Sequence, residues 1–460
     1  MRELREADEP MNNTGAHHAY APSAEARPFS VRPKMHVASG KELALISLSA
    51  KLLFENGQST ENVVSALDQL AAIMGFRATV FPRWGELTIL INDGSGSRHQ
   101  ILAAAPVRVD MHKIAETIGV IDDVCNGHLG AAAARAALDA VTRFPPVSIT
   151  RFALLAAAGA AALGVIFGVT HPFSLLLIAI SAGVGACLRR WLAAISHNPF
   201  VQPLCAALLA GAIGAIAVRL QLSSTLRLVA VCPCMILVPG PHLLNGTIDL
   251  ARARVALGAS RIAYAGVIIL MICTGLLAGL SFGSVSLPVS GPSYPVPLGY
   301  DVIAAGVAVA AYGTFFAMPW RMLPIPIAIG MLAHASRWGM ISSVGTSVQT
   351  GALVACLVVS IIITPIADRL RLPFAALAFA SVVSLIPGVY LFRMAGGLVD
   401  LVTLGERASV DVLRNTIADG TTAMLIILAM AFGLILPKIC IEHFFPDLTK
   451  PIRRGAWGRR

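Results

Sequence analysis

Charge is scarce in this chain. Only 13% of its 460 residues are charged, against 56% hydrophobic. A soluble domain carries about 25% charged residues, so most of the length is excluded from being a water-exposed globule. A cleaved leader is missing too: Met1-Arg-Glu-Leu-Arg-Glu runs into polar residues, not into an apolar core of about 7–15 residues. The first membrane span is therefore expected to direct insertion itself. No His-Glu-x-x-His, no Gly-x-Ser-x-Gly and no phosphate loop occurs in the polar N-terminal region. This argues against a metal, a cofactor and a catalytic site there, and the chain reads as no enzyme. Cys232-Pro233-Cys234 lacks neighbouring His or Cys ligands, so it reads as packing.

What is present is a series of apolar runs. A span needs about 17–25 such residues. Stretches 152–169, 200–218, 262–282, 302–320, 348–367, 372–392 and 420–437 reach that length without a charge. Stretch 173–188 is slightly short, 228–244 carries only His242, and 322–333 is short and holds Pro324 and Pro326. Together these predict an α-helical polytopic membrane protein of about ten spans.

Two of the runs echo each other. Val238-Pro239-Gly240 and Ile386-Pro387-Gly388 interrupt apolar stretches 148 residues apart, and each precedes an Asp between apolar neighbours, Asp249 and Asp400. Pro lacks an N–H and Gly is conformationally loose, so each pair breaks a helix. Lipid cannot satisfy the freed backbone groups; such a break persists only inside protein or beside a wet cavity. Matching breaks in two halves point to a transporter's binding site. Ten spans divide as five and five at a proline-rich, uncharged joint, 284–300. Five is odd, so the second half is expected to sit inverted.

With the N-terminus inside, the inner joints and tail collect most of the Arg and Lys, among them Arg189, Arg190, Arg252, Arg254, Arg369 and Arg371. This predicts both termini cytoplasmic. It also assigns the net charge of +10 to topology and anionic lipid heads rather than nucleic acid. The expected organisation is a disordered tail 1–38, a cytosolic α/β domain 39–146, a first membrane half 147–283, an extracytoplasmic linker 284–300, a second half 301–440 and a basic tail 441–460. In the small domain, helices are expected near 41–54 and after Ser59. Strands follow near 78–81, 87–91 and 99–104, then helices after Asp110 and Ala131. This domain reads as a gate, a regulator or a folding partner.

Leu53-Phe54-Glu55-Asn56-Gly57-Gln58-Ser59-Thr60-Glu61-Asn62-Val63, closed by Gly75, resembles the helix-turn of the threonine/serine exporter family's cytosolic domain. Val107-Arg108-Val109-Asp110 is similar. The Val238-Pro239-Gly240 segment with Asn245 and Asp249 resembles that family's first membrane half, and Ser384 to Tyr390 its second. The resemblance spans residues 40–440. It implies export of L-threonine and L-serine across a bacterial inner membrane, driven by the proton gradient, with both parts fused in one chain. The family's cytosolic domain is suspected of hydrolase activity, and no motif here supports that.

A zwitterionic substrate needs two complementary ends. Exposed N–H groups at a broken helix attract the carboxylate; freed carbonyls or an Asp attract the ammonium. Pro239, Gly240, Pro387 and Gly388 are therefore expected along the substrate path, with Asn245, Thr247 and Ser384 reading the substrate hydroxyl. Asp249 and Asp400 are the candidates for proton coupling, with His334 and His242 secondary. The expected partners are a small amino acid, protons and lipid; the oligomeric state is left open. The alternatives are a membrane sensor or scaffold, or a hydrolase. An intramembrane hydrolase would need a convergent nucleophile and base, and none is visible in the linear sequence.

Overall fold

The computed structural model describes residues 37–93, 96–196, 198–220, 226–283, 285 and 296–450. Positions 1–36 of the expected tail, most of the 284–300 joint and positions 451–460 of the basic tail lie outside the described residues.

The chain begins with a capping box. Ser39 accepts from the Glu42 backbone while Glu42 accepts from Ser39, starting α1 (Gly40–Glu55). Ser59 caps α2 (Thr60–Ile73). Three antiparallel strands follow in sequence order: β1 (Arg77–Arg83), β2 (Gly85–Asp93) and β3 (Gly96–Ala104). Along β2, Leu87, Ile89 and Ile91 alternate inward and are fully buried. They meet α1, α2, α3 (Met111–Cys125) and α4 (Ala131–Thr142) in one apolar cluster. The periodicity and caps read from the sequence locate these elements closely.

Beyond Ser148 the chain is helical. The membrane helices are α5 (Ile149–Ile166), α6 (Pro172–Ile195), α7 (Val201–Arg219), α8 (Leu226–Met235), α9 (Gly240–Ala251) and α10 (Val255–Ser281). They continue with α11 (Leu298–Phe315), α12 (Pro324–Ser342), α13 (Val348–Arg369), α14 (Phe374–Val382), α15 (Gly388–Leu404) and α16 (Val410–Phe444). Among the described residues, eight of these helices are long and apolar enough to cross a membrane. The count becomes nine if α8 and α9, bent by 54°, are taken as one span.

The sequence count of ten differs at two places. α12 carries His334 and Arg337, which lower its hydropathy below that of a lipid-facing span. The apolar stretch 372–392 does not run through; it divides into the short apolar piece Phe374–Leu385 and a separate span-length helix from Gly388. The reason is the second Pro-Gly pair. A 3-10 turn, Val383–Leu385, closes the first piece, and Pro387 starts the next.

Packing follows a repeated order. α5 lies on α6, α6 on α7, α7 on α8 and α10, and α9 on α10. Later, α11 lies on α12, α12 on α13, α13 on α14 and α16, and α15 on α16. The two sets join along α5 and α11. These run antiparallel: the Phe152 ring sits 4.8 Å from Phe315, and Arg151 near the start of α5 donates 2.8 Å to the carbonyl of Met318 just past α11. They join again where α9 meets α14 and α8 meets α15.

Candidate functional site at the crossing of two broken helices

The two breaks meet. Gly240 opens α9 against the ring of Phe379 on α14; a Cβ at 240 would lie 1.5 Å from a ring carbon. Gly388 opens α15 against Met235 at the end of α8, with a Cβ-to-Cγ distance of 2.9 Å. Only a residue without a side chain allows each approach. Pro239 and Pro387 hold similar backbone angles, φ −83° and −77°. Breaking α8 takes the Met235 carbonyl out of the helical ladder; the Val238 N–H reaches it at 3.3 Å, and the buried Tyr312 hydroxyl donates to it at 2.6 Å. That bond satisfies a group lipid could not. Phe379 and Met235 fill the crossing, so the breaks meet in packed contact rather than around an open hollow.

Beside the second break lies a chain of three buried polar groups. His334 Nδ1 is 2.9 Å from Asp301 Oδ2, and His334 Nε2 is 2.6 Å from Ser384 Oγ. His334 is 0% exposed, and Asp301 and Ser384 are 3% each. Asp301 sits in the first turn of α11, where the helix dipole favours a carboxylate. His334 comes from α12, and Ser384 from the 3-10 turn that the break creates. A carboxylate accepts only, so Nδ1 carries a proton. Nε2 then accepts from Ser384 when the ring is neutral and donates to it when the ring is charged. Arg337 lies within electrostatic range of Asp301. The arrangement is one in which a proton can be held at Nδ1 and exchanged at Nε2.

The remaining sequence candidates are distributed differently. Asn245 donates 3.3 Å to the Gly57 carbonyl of the small domain, and its own Oδ1 is buried without a partner. Thr247 bonds back to Leu243 of its own helix. Asp249, 1% exposed, faces Arg254 at 3.5 Å and Arg261 at 3.4 Å. Asp400 lies far along α15, partly buried. His242 packs edge-on against Tyr264. Asp249 and Asp400 thus lie on different helices, nine and twelve residues beyond Gly240 and Gly388, and only Asp249 is fully buried. Asp301 went unrecognised, because one acid at a span start is unremarkable until His334 is placed beside it. Cys232 and Cys234 are buried and unpaired, and no metal-binding group occurs among the described residues.

The small domain docks on the same region. The Asn56-Gly57-Gln58 turn reaches α9 and the α13–α14 joint, where Gln58 donates 3.4 Å to the Arg371 carbonyl. Gly57, at φ +90°, brings its backbone against Val109, where a side chain would crowd the Arg108 carbonyl. Arg371 pairs with Asp122 and bonds Gln69 at 2.8 Å. Arg252 pairs with Glu61 and with Glu442, the latter at 2.5 Å. Met111 N donates 2.8 Å to the Phe316 carbonyl. On the docked face, burial pushes the Cys125 thiol up, with Asp122 adding to the effect, so it stays protonated at neutral pH.

This architecture, broken helices crossing inside a multi-pass helical bundle, defines a membrane transporter class. Comparison of the chain with protein families narrows it. Residues 44–283 match the family described as "Putative threonine/serine exporter", and residues 301–440 match the model described as "Threonine/Serine exporter, ThrE". The chain belongs to the threonine/serine exporter family, and it is a multi-pass membrane protein of that family. Neither a curated protein nor a solved structure matches it.

Proposed function

We propose that this protein exports L-threonine and L-serine across a bacterial inner membrane, coupled to the proton gradient, and that the Asp301–His334–Ser384 chain carries the proton. The observation behind this reading is that buried chain, seated on the turn that the second break creates. A titratable group in a membrane bundle is costly unless it functions. Protonation of His334 turns its bond to Ser384 from acceptor to donor, which would loosen or tighten the turn before Pro387 and so bias the position of α15. The substrate path passes Pro239, Gly240, Ser384, Pro387 and Gly388, with Asn245 and Thr247 on the domain side.

Two inverted five-helix repeats are part of the proposal. Shifted by 148 residues, α5 (Ile149–Ile166) falls within one residue of α11 (Leu298–Phe315), and α8 (Leu226–Met235) on the start of α14 (Phe374–Val382). The repeated packing order and the antiparallel run of α5 and α11 support the same reading. Arg252 and Arg371 both meet the small domain, which favours placing that domain and both termini in the cytoplasm. The proposal puts the proton on the His334 group rather than on Asp249 or Asp400. The charge of Asp249 is already met by two arginines, and Asp400 lies away from the crossing.

The test is efflux of labelled threonine from loaded vesicles, with and without an imposed proton gradient. His334→Gln and Asp301→Asn should stop gradient-driven flux, while Asp249→Asn and Asp400→Asn keep it. Loss of coupling in the last two alone would return the proton to those carboxylates. A second reading exists, because Ser-His-Asp is also the arrangement that activates a hydrolytic serine. Ser384 is only 3% exposed. Labelling of Ser384 by a fluorophosphonate would favour hydrolysis.

A further inference from the structure

The first break has no polar chain, but it has a void. A cavity of about 10 Å³, room for about one water, lies between α6, α8 and α11, bordered by Ser181, Ala186, Arg189, Pro233, Ile236 and Phe315. Two donors face this space without acceptors. Ser181 is 1% exposed and its Oγ has no hydrogen-bond partner. Arg189 Nε and Nη1 are shut away from the outside and likewise have no partner. The guanidinium leans on the Phe315 and Phe152 rings, 5.3 and 5.8 Å away, which hold its plane in place. Pro233, inside α8, lines the same space and has no N–H to place there.

The second half shows what is missing. Under the 148-residue shift, Arg189 falls on Arg337, Ala186 on His334, Ile236 on Ser384 and Ala153 on Asp301. Arg337 has Asp301 within electrostatic range. Arg189 has an alanine where that acid would be, and no ion pair of Arg189 occurs among the described residues. A half-buried cation whose Nε and Nη1 are shut away with no acceptor is costly, so an anion is the natural completion of this site. The bidentate fork of arginine matches a carboxylate.

We propose that the Arg189–Ser181 cavity is the carboxylate subsite for the small amino acid, with the guanidinium and the Ser181 hydroxyl donating to the substrate carboxylate. This rests on the export reading. The space is narrow and closed as it stands, so loading requires α8 to draw back from α6. A neutral amino alcohol of the same size lacks the recognised group and should be refused. A small inorganic anion shares the charge but not the planar two-oxygen shape.

The test uses the full chain in lipid nanodiscs and in proteoliposomes. Calorimetry compares L-threonine, L-threoninol, acetate and chloride on the wild type and on Arg189→Gln, Arg189→Lys and Ser181→Ala. The expected result is binding of threonine and, more weakly, acetate, with none for threoninol. Affinity should fall about tenfold or more in Arg189→Gln and Arg189→Lys, and less in Ser181→Ala. Helix content and a single gel-filtration peak check folding, and Arg189→Lys keeps the charge should Arg189→Gln fail to fold. Unchanged threonine affinity in the folded arginine variants overturns the subsite, as does equal binding of threoninol. Equal binding of chloride and acetate overturns carboxylate recognition. Efflux by the wild type separates this from the export reading. Flux with unaffected arginine variants sinks the subsite alone; arginine-dependent binding without flux sinks export alone.

Discussion

The two breaks share a backbone device and differ in what surrounds it. Both use a proline to stop one helix and a glycine to let the next begin against the opposite half. Around the second, Asp301, His334 and Ser384 complete one another's hydrogen bonds. Around the first, the matching positions are apolar, and the space holds an arginine with unbonded nitrogens. The lesson is that a repeated scaffold can divide two tasks. In the reading proposed above, the polar chain at the second break serves the proton, and the arginine at the first, left short of an anion, serves the substrate. Burial enforces the division, because a polar group removed from water must find its partner in the protein or in a ligand.

The comparison breaks first at His334. Replacing it with Gln, or Asp301 with Asn, should reduce gradient-driven threonine efflux on the order of a hundredfold, the scale of losing a positioned proton-transfer group. Passive exchange in the absence of a gradient should survive. Equal loss of both modes would mean that the chain only holds the turn together. Next comes the contrast between the two glycines. Gly240→Ala drives a Cβ into the Phe379 ring, whereas Gly388→Ala meets the flexible Met235 side chain. Overpacking costs about 1–3 kcal/mol, and Gly240→Ala should reach or pass the top of that range while Gly388→Ala stays near the bottom. Thermal unfolding in detergent measures both, and Phe379→Ala should relieve only the first.

A smaller effect is expected at Tyr312. Tyr312→Phe leaves the Met235 carbonyl only the longer bond from the Val238 N–H, at a cost of about 1 kcal/mol. An unchanged melting temperature would show that another donor reaches this carbonyl. The smallest effect belongs to domain docking. Arg371→Ala removes the pairs to Asp122 and Gln69, which are partly exposed, so the loss should be about 1 kcal/mol or less. Faster proteolysis of the hinge near 143–148, mimicked by high salt in the wild type, is the readout.

Much of the scaffold could be read from the linear chain. Periodicity and caps located the elements of the small domain, because Ser59 and Asp110 each cap a helix where the sequence placed one; the Ser39 cap emerged only from the structure. The Pro-Gly pairs located both breaks, because a missing N–H followed by a conformationally loose glycine ends a helix, whereas Pro233, Pro365 and Pro437 stay inside theirs. The span count was less legible. The 372–392 stretch has the hydropathy of one span, and only its division at Pro387 shows two pieces.

The site was legible one residue at a time. Ser384 stood out beside its break, and His334 only as a secondary candidate for proton coupling. Asp301 stood out not at all, since it is 33 residues from His334 and 83 from Ser384 in the chain. Asn245 looked like a substrate contact, yet its amide is turned to Gly57, a partner 188 positions away.

The order of amino acids alone determined where helices begin, where two of them stop, and that nearly all of the chain after residue 148 must leave water. These are consequences of local backbone chemistry and of apolar content, which need no distant partner. Tertiary packing decided which polar groups meet: Tyr312 on a freed carbonyl, His334 between Asp301 and Ser384, and Arg189 against a void. The physical reason is that a hydrogen bond acts over about 3 Å, a range at which only folding can join residues tens or hundreds of positions apart.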